Sequence, residues 1–216
     1  MSVARATREG SSRRSRANHD AVVSTPRYPR FVSDDELVNA WSSLPRRIYL
    51  DTCTLQSMYE FDGVIFEDEP LDPSSRAATI EGLPEQLEAL RKILIVNERA
   101  MFEFVITKTS LREVKARNRG RYTQWVHDIR DPCLVQSAGY EPPRWGMTFY
   151  KPHFGMISKA DRILLQDALD FGCDGFMTVE KKLPRNAEHI ERWTGLQVMR
   201  PTKYWSLLAP WAALYC

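Results

Sequence analysis

The sequence predicts an α/β fold of three layers, with a parallel sheet of four to five strands between helices. Two observations carry this. Four short apolar runs have the length and composition of buried strands: RRIYL (46–50), FEFVITK (102–108), GFMTV (175–179) and LQVMRP (196–201). Segments with helical periodicity separate them, at 84–100, from Ser110 onward, and at 158–172. Strands that alternate with helices need crossover connections, which make the sheet parallel and cover both of its faces.

A chain of 216 residues suits one domain with an extension. The extension is residues 1–30, which hold seven Arg, no Lys and only two acids, Glu9 and Asp20. That is a net charge of +5 before a body, residues 31–216, of net charge −3. The arm lacks the apolar periodicity of a packed element and is expected to be disordered. It reads as a solubilising tail or as an electrostatic arm for nucleic acid. No apolar run reaches the ~20 residues of a membrane span, and the arm lacks the apolar core of a secretory signal. Cys53, Cys133, Cys173 and Cys216 show no CxxC spacing, so the expectation is reduced thiols in a cytoplasmic protein rather than a zinc site.

Each element of the body has its own signal. Ser33 and Glu36 have capping-box spacing before ELVNAWSSL, a short helix that Pro45 ends. RRIYL is the first strand. The stretch FDGVIFEDEPLDPSSRAAT carries five acids, but Pro70 and Pro73 break regular presentation and a solvated loop is the simpler reading. PEQLEALRKILIVNERA has Pro at a helix start. FEFVITK is the second strand. Ser110 and Glu113 form another capping box, opening a helix that Gly120 interrupts. Residues 131–157, rich in Pro, Gly and aromatics, read as a long loop. SKADRILLQDALDFG runs from a Ser158–Asp161 box to Gly172 at the C′ position. GFMTV and LQVMRP complete the sheet. WSLLAPWAALYC is apolar and reads as a segment packed on the core or on a partner, which makes a homodimer conceivable.

In such a sheet, ligands gather at the carboxyl ends of the strands. Asp51 ends the first strand and Glu180 follows GFMTV. Glu113 begins the helix after the second strand. Asp161 begins the helix that leads into the third strand, so its helix N-terminus lies on the same rim. Each acid alone has a plain explanation, as a turn residue, a capping-box member or a surface charge. Four on one rim would repel one another, and Mg²⁺ or Mn²⁺ relieves such repulsion through oxygen ligands.

The order of these motifs resembles the PIN-domain nucleases over about residues 46–208. IYLDTCTL looks like that family's first strand and first acid, and ITKTSLREV like the segment with the second. ADRILLQDALDFGCDGFMTVEKKL matches best, and TGLQVMRPTKYWSLL resembles the closing strand, Pro and helix. Glu180 departs from the usual Asp; Asp174 and, behind it, Asp167 are the rivals for its place. Asp167 lies six residues past Asp161, about 600° around a helix, and is expected to point elsewhere. The resemblance implies a metal-dependent endoribonuclease. Asp51, Glu113, Asp161 and Glu180 would be its catalytic, metal-holding acids, with Thr52 and Thr178 behind them. Its substrate would be single-stranded or structured RNA, and an antitoxin protein is a conceivable partner.

Basic residues near the rim suit nucleic acid: Lys115, Arg117, Arg119, Arg121, Lys181 and Lys182, with Arg185. Arg144, Trp145, Phe149, Tyr150 and Lys151 could add stacking and charge. His127 and His153 have no spaced partner and read as surface or loop residues. The rival to an enzyme is an adaptor, a PIN-like module that binds nucleic acid or protein with weakened catalysis.

Overall fold

Four strands carry the fold: β1 (Arg47–Leu50), β2 (Glu103–Val105), β3 (Gly175–Met177) and β4 (Gln197–Met199). The computed structural model describes residues 39, 41–100, 102–116, 120–133 and 148–214. The strands pair in the order β2-β1-β3-β4 and every pair is parallel. β1 aligns Ile48 with Phe104 on one side and with Gly175 on the other. Among the described residues the sheet has four strands, each shorter than its apolar run.

Alternation along the strands divides the core in two. Ile48, Leu50, Phe104, Met177 and Met199 face one cluster, with Leu90, Ile93, Tyr204 and Leu208. Tyr49, Val105, Phe176 and Val198 face the other, with Leu164, Leu165, Ile190 and Phe149. Successive strand side chains point to opposite faces, so each cluster lies on its own side of the sheet. The result is helices, sheet and helices in three layers.

The helices are α1 (Thr52–Glu60), α2 (Asp62–Phe66), α3 (Arg76–Thr79), α4 (Leu83–Ala100), α5 (Lys108–Ala116), α6 (Gly120–Cys133), α7 (Lys159–Asp170), α8 (Ala187–Thr194) and α9 (Pro201–Ala212). α4 and α9 pack together on the first cluster. Gln86 fastens them, donating to Thr202 Oγ1 at 2.9 Å and accepting from the Thr202 amide at 3.1 Å. The apolar C-terminal segment is therefore helical as far as Ala212 and seated on the core, with Pro210 inside the helix. α7 begins as expected: the Ser158 hydroxyl accepts from the Asp161 amide, and Gly172 follows the helix with φ 66°.

Several sequence expectations need correction. The acidic stretch after residue 60 is not a bare loop, since it folds into α2 and α3. α5 begins at Lys108, with the Leu111 amide donating to the Thr107 carbonyl. Ser110 is thus inside the helix and fully buried, so it forms no capping box with Glu113. The loop expected from residue 131 gives way to the end of α6 and to 3₁₀ turns at Thr148–Tyr150 and Pro152–Phe154. The Ser33–Glu36 box, the basic arm, Arg117, Arg119, Arg144 and Trp145 lie outside the described residues.

Candidate functional site

The strand order reverses between β1 and β3: the chain leaves β1 for β2 on one side, and later builds β3 and β4 on the other. A crevice opens at such a point, at the carboxyl ends of the strands. Asp51 and Thr178 are the residues just past those ends. The Asp51 amide donates to the Met177 carbonyl at 3.1 Å, which continues the ladder beyond β1. Its carboxylate is only 6% exposed, and Oδ2 accepts a 2.6 Å hydrogen bond from the Thr178 hydroxyl.

Two further acids act on this carboxylate from other elements. Burial is the main force raising the Asp51 pKa, to about 6. The Thr178 hydroxyl and the Cys53 amide oppose that rise, and the charges of Glu113 and Asp161 add to it. Glu113, half-buried on α5, takes a 2.7 Å bond from the Thr52 hydroxyl. Asp161, half-buried in the first turn of α7, takes a 2.7 Å bond from the Ser158 hydroxyl. Each acid thus rests on a hydroxyl: Asp51 on Thr178, Glu113 on Thr52, Asp161 on Ser158.

Glu180 and its rivals stand differently. The half-buried Glu180 sends its backbone amide to Thr178 Oγ1 at 3.1 Å, which helps to aim that hydroxyl. Asp174 is removed from the competition. Its carboxylate caps the amides of Arg46 and Arg47 at 2.8–3.0 Å, at the amino end of β1 and so at the opposite edge of the sheet. Asp167 does point elsewhere, into a buried polar cluster. It accepts from Thr107 Oγ1 and, at 3.2 Å, from Tyr49 Oη. Tyr49 Oη also lies 2.7 Å from Ser110 Oγ and 3.0 Å from Thr107 Oγ1. Burial pushes both the Tyr49 and Asp167 pKa values upward, which keeps the phenol protonated. Sequence reasoning missed this cluster because its members are polar residues spread over three segments, with no shared spacing.

The donor set has the chemistry of a hard-cation site: a buried carboxylate just after β1 that feels the charges of half-buried carboxylates on α5 and α7. Among the described residues, however, no three His, Cys, Asp or Glu side chains form a group able to hold a metal ion as they stand. The acids fit a divalent ion by type, and holding one requires their side chains to draw closer together than they stand.

Around the rim, Lys115, Arg121 and Lys182 are exposed, and Lys181 pairs with Glu81 at 3.2 Å. Tyr150 is exposed, but Phe149 is fully buried against Phe154. Phe149 is therefore a core residue and not a stacking face for a base. His153 stacks on Trp193, with ring centroids 4.7 Å apart, and its carbonyl lies 3.0 Å from His189 Nε2. Cys53 and Cys173 are not joined in disulfides, and burial pushes the Cys173 pKa up to about 12. No helix among the described residues is long and apolar enough to cross a membrane. Comparison with protein-family models, curated proteins and solved structures gives no match.

Proposed function

We propose that this chain is a divalent-metal-dependent endoribonuclease of the PIN class. The observation that carries the reading is the meeting at Asp51: Glu113 and Asp161, from two other elements, act by charge on a buried carboxylate at the switch point of a parallel sheet. The residues that would hold Mg²⁺ or Mn²⁺ are Asp51, Glu113 and Asp161, with Glu180 as a longer fourth reach. When bound, such an ion supplies the positive charge that displacement at phosphorus requires.

The chain's own residues do the rest. Thr178 orients Asp51, and Thr52 orients Glu113, in the way that partners behind a ligand set its direction. Lys115, Arg121, Lys181 and Lys182 would contact the phosphate backbone of single-stranded or structured RNA. Arg117 and Arg119 belong to the same basic run. An antitoxin that covers this rim, and a homodimer, are partners compatible with the reading.

A second reading has its own observation. Each of the three acids takes a hydroxyl hydrogen bond, and among the described residues they are not drawn into a ligand group. A binding module with weak catalysis, an adaptor, would have that arrangement.

One experiment separates the two. Purified protein is incubated with single-stranded and transfer RNAs in Mg²⁺ or Mn²⁺, with and without EDTA, beside Asp51→Asn. Cleavage that needs both the metal and Asp51 supports the nuclease. A folded protein that binds RNA but cleaves none, with the same result for Asp51→Asn, supports the adaptor.

A further inference from the structure

The three elements that carry the rim acids are joined a second time, deeper in the molecule. β1 leads to Asp51 and contributes Tyr49, two residues earlier. α5 carries Glu113, and the segment that opens it contributes Thr107 and Ser110. α7 carries Asp161 and contributes Asp167. All four polar groups meet: Tyr49 Oη and Thr107 Oγ1 both donate to Asp167 Oδ2, while Ser110 Oγ lies 2.7 Å from Tyr49 Oη. With the phenol and threonine protons committed to the carboxylate, the serine proton is the one left for the phenol oxygen. Thr107, Ser110 and Tyr49 are each at most 1% exposed, and Tyr49 also stacks on Phe176 with ring planes 5° apart.

A packed apolar contact tolerates small slips, whereas a hydrogen bond weakens steeply with distance and angle. A buried polar group left unpaired is costly, so such a cluster has one favourable arrangement. It fixes α5 and α7 against β1 at the residues just below the rim.

We propose that Tyr49, Thr107, Ser110 and Asp167 form a positioning cluster that sets the placement of Asp51, Glu113 and Asp161 for a divalent cation. The inference rests on the metal-site reading above and deepens it. None of the four is a ligand; they act through the elements that bear the acids. Partners behind a metal site typically change its affinity by about 10–100-fold when removed.

The test uses the full chain and Mn²⁺ alone, with free Mn²⁺ followed by electron paramagnetic resonance. Amide exchange at Leu111 on α5 and Arg162 on α7 is measured alongside. Tyr49→Phe and Asp167→Ala are expected to weaken Mn²⁺ binding by about 10-fold or more, and to speed exchange at those two amides. Asp167→Asn keeps an acceptor oxygen and is expected to stay near the wild type. Ile190→Val, buried on α8 and making none of the cluster's hydrogen bonds, controls for lowered stability. Two results overturn the proposal: Tyr49→Phe binding Mn²⁺ as the wild type does, or Ile190→Val at equal melting temperature weakening binding as much. Should the wild type itself bind no Mn²⁺, the metal reading fails. The exchange data then decide only the structural half of the proposal: unchanged exchange in Tyr49→Phe overturns that half, and faster exchange confined to α5 and α7 upholds it.

Discussion

Folding moves the Asp51 carboxyl from water to a position only 6% exposed, so its ionised form is disfavoured in the native state. The native pKa of about 6 lies above the ordinary value of 3.8. Between these values the folded protein binds more protons than the unfolded chain, so stability falls as pH rises through that window. The contribution is fully present below pH 3.8 and lost above about 6. The shift corresponds to roughly 3 kcal/mol as an upper figure. Asp51→Asn, free of this penalty, is expected to be more stable than the wild type at pH 7.5 without metal, by about 1–3 kcal/mol. The gap should close toward pH 4, and urea denaturation at both pH values measures it. Thr178 acts in the opposite sense, since its hydroxyl stabilises the carboxylate. Thr178→Val is expected to raise the Asp51 pKa further, read by carboxyl ¹³C chemical shift against pH, while Thr178→Ser preserves it.

At the scale of elements, the same residue type does two different jobs at the two ends of the sheet. Asp174 accepts from the amides of Arg46 and Arg47 at the start of β1. Asp174→Ala leaves two amides without that acceptor and is expected to cost about 1 kcal/mol in denaturation and, on the nuclease reading, to leave cleavage unchanged at a temperature where the variant is folded. Ser158 caps α7 and also holds Asp161. Ser158→Ala is expected to cost about 1 kcal/mol of stability and, on the nuclease reading and unlike Asp174→Ala, to impair cleavage. The strands and α7 were legible because apolar runs and a Ser-x-x-Asp cap are local signals. The start of α5 was not. Ser110 and Glu113 have capping-box spacing, but the Ser110 hydroxyl is taken by Tyr49, 61 residues away in sequence. A long-range partner overrode the local pattern. Phe149 was misplaced for a similar reason: a Pro-rich and aromatic stretch looks exposed until Phe154 and α7 pack over it. The rim position of Asp51 followed from topology, whereas the hydroxyl under each acid needed three dimensions.

Across the whole molecule, two apolar clusters on either face of the sheet support the fold. No part of that core depends on the rim acids. Chelation by EDTA is therefore expected to leave the far-ultraviolet circular dichroism unchanged, while added Mn²⁺ raises the melting temperature of the wild type and not of Asp51→Asn. Gly175 on β3 lies close against its β1 partner Ile48 and the Pro45 that precedes β1. A methyl group there would stand 2.9 Å from Pro45 Cβ and 3.2 Å from Ile48 Cγ1. Gly175→Ala is expected to destabilise by about 1–3 kcal/mol by overpacking, measured by urea denaturation. The β1–β3 pairing that Gly175 permits has a temporal meaning as well. The Asp51–Thr178 bond joins residues 127 apart in the chain, and contacts of that span form late because a long loop must close first. On the ribosome, β1 emerges long before its central neighbour exists. A nascent chain therefore carries Asp51 without the Thr178 hydroxyl that holds it, and the rim is complete only once β3 has been synthesised and seated.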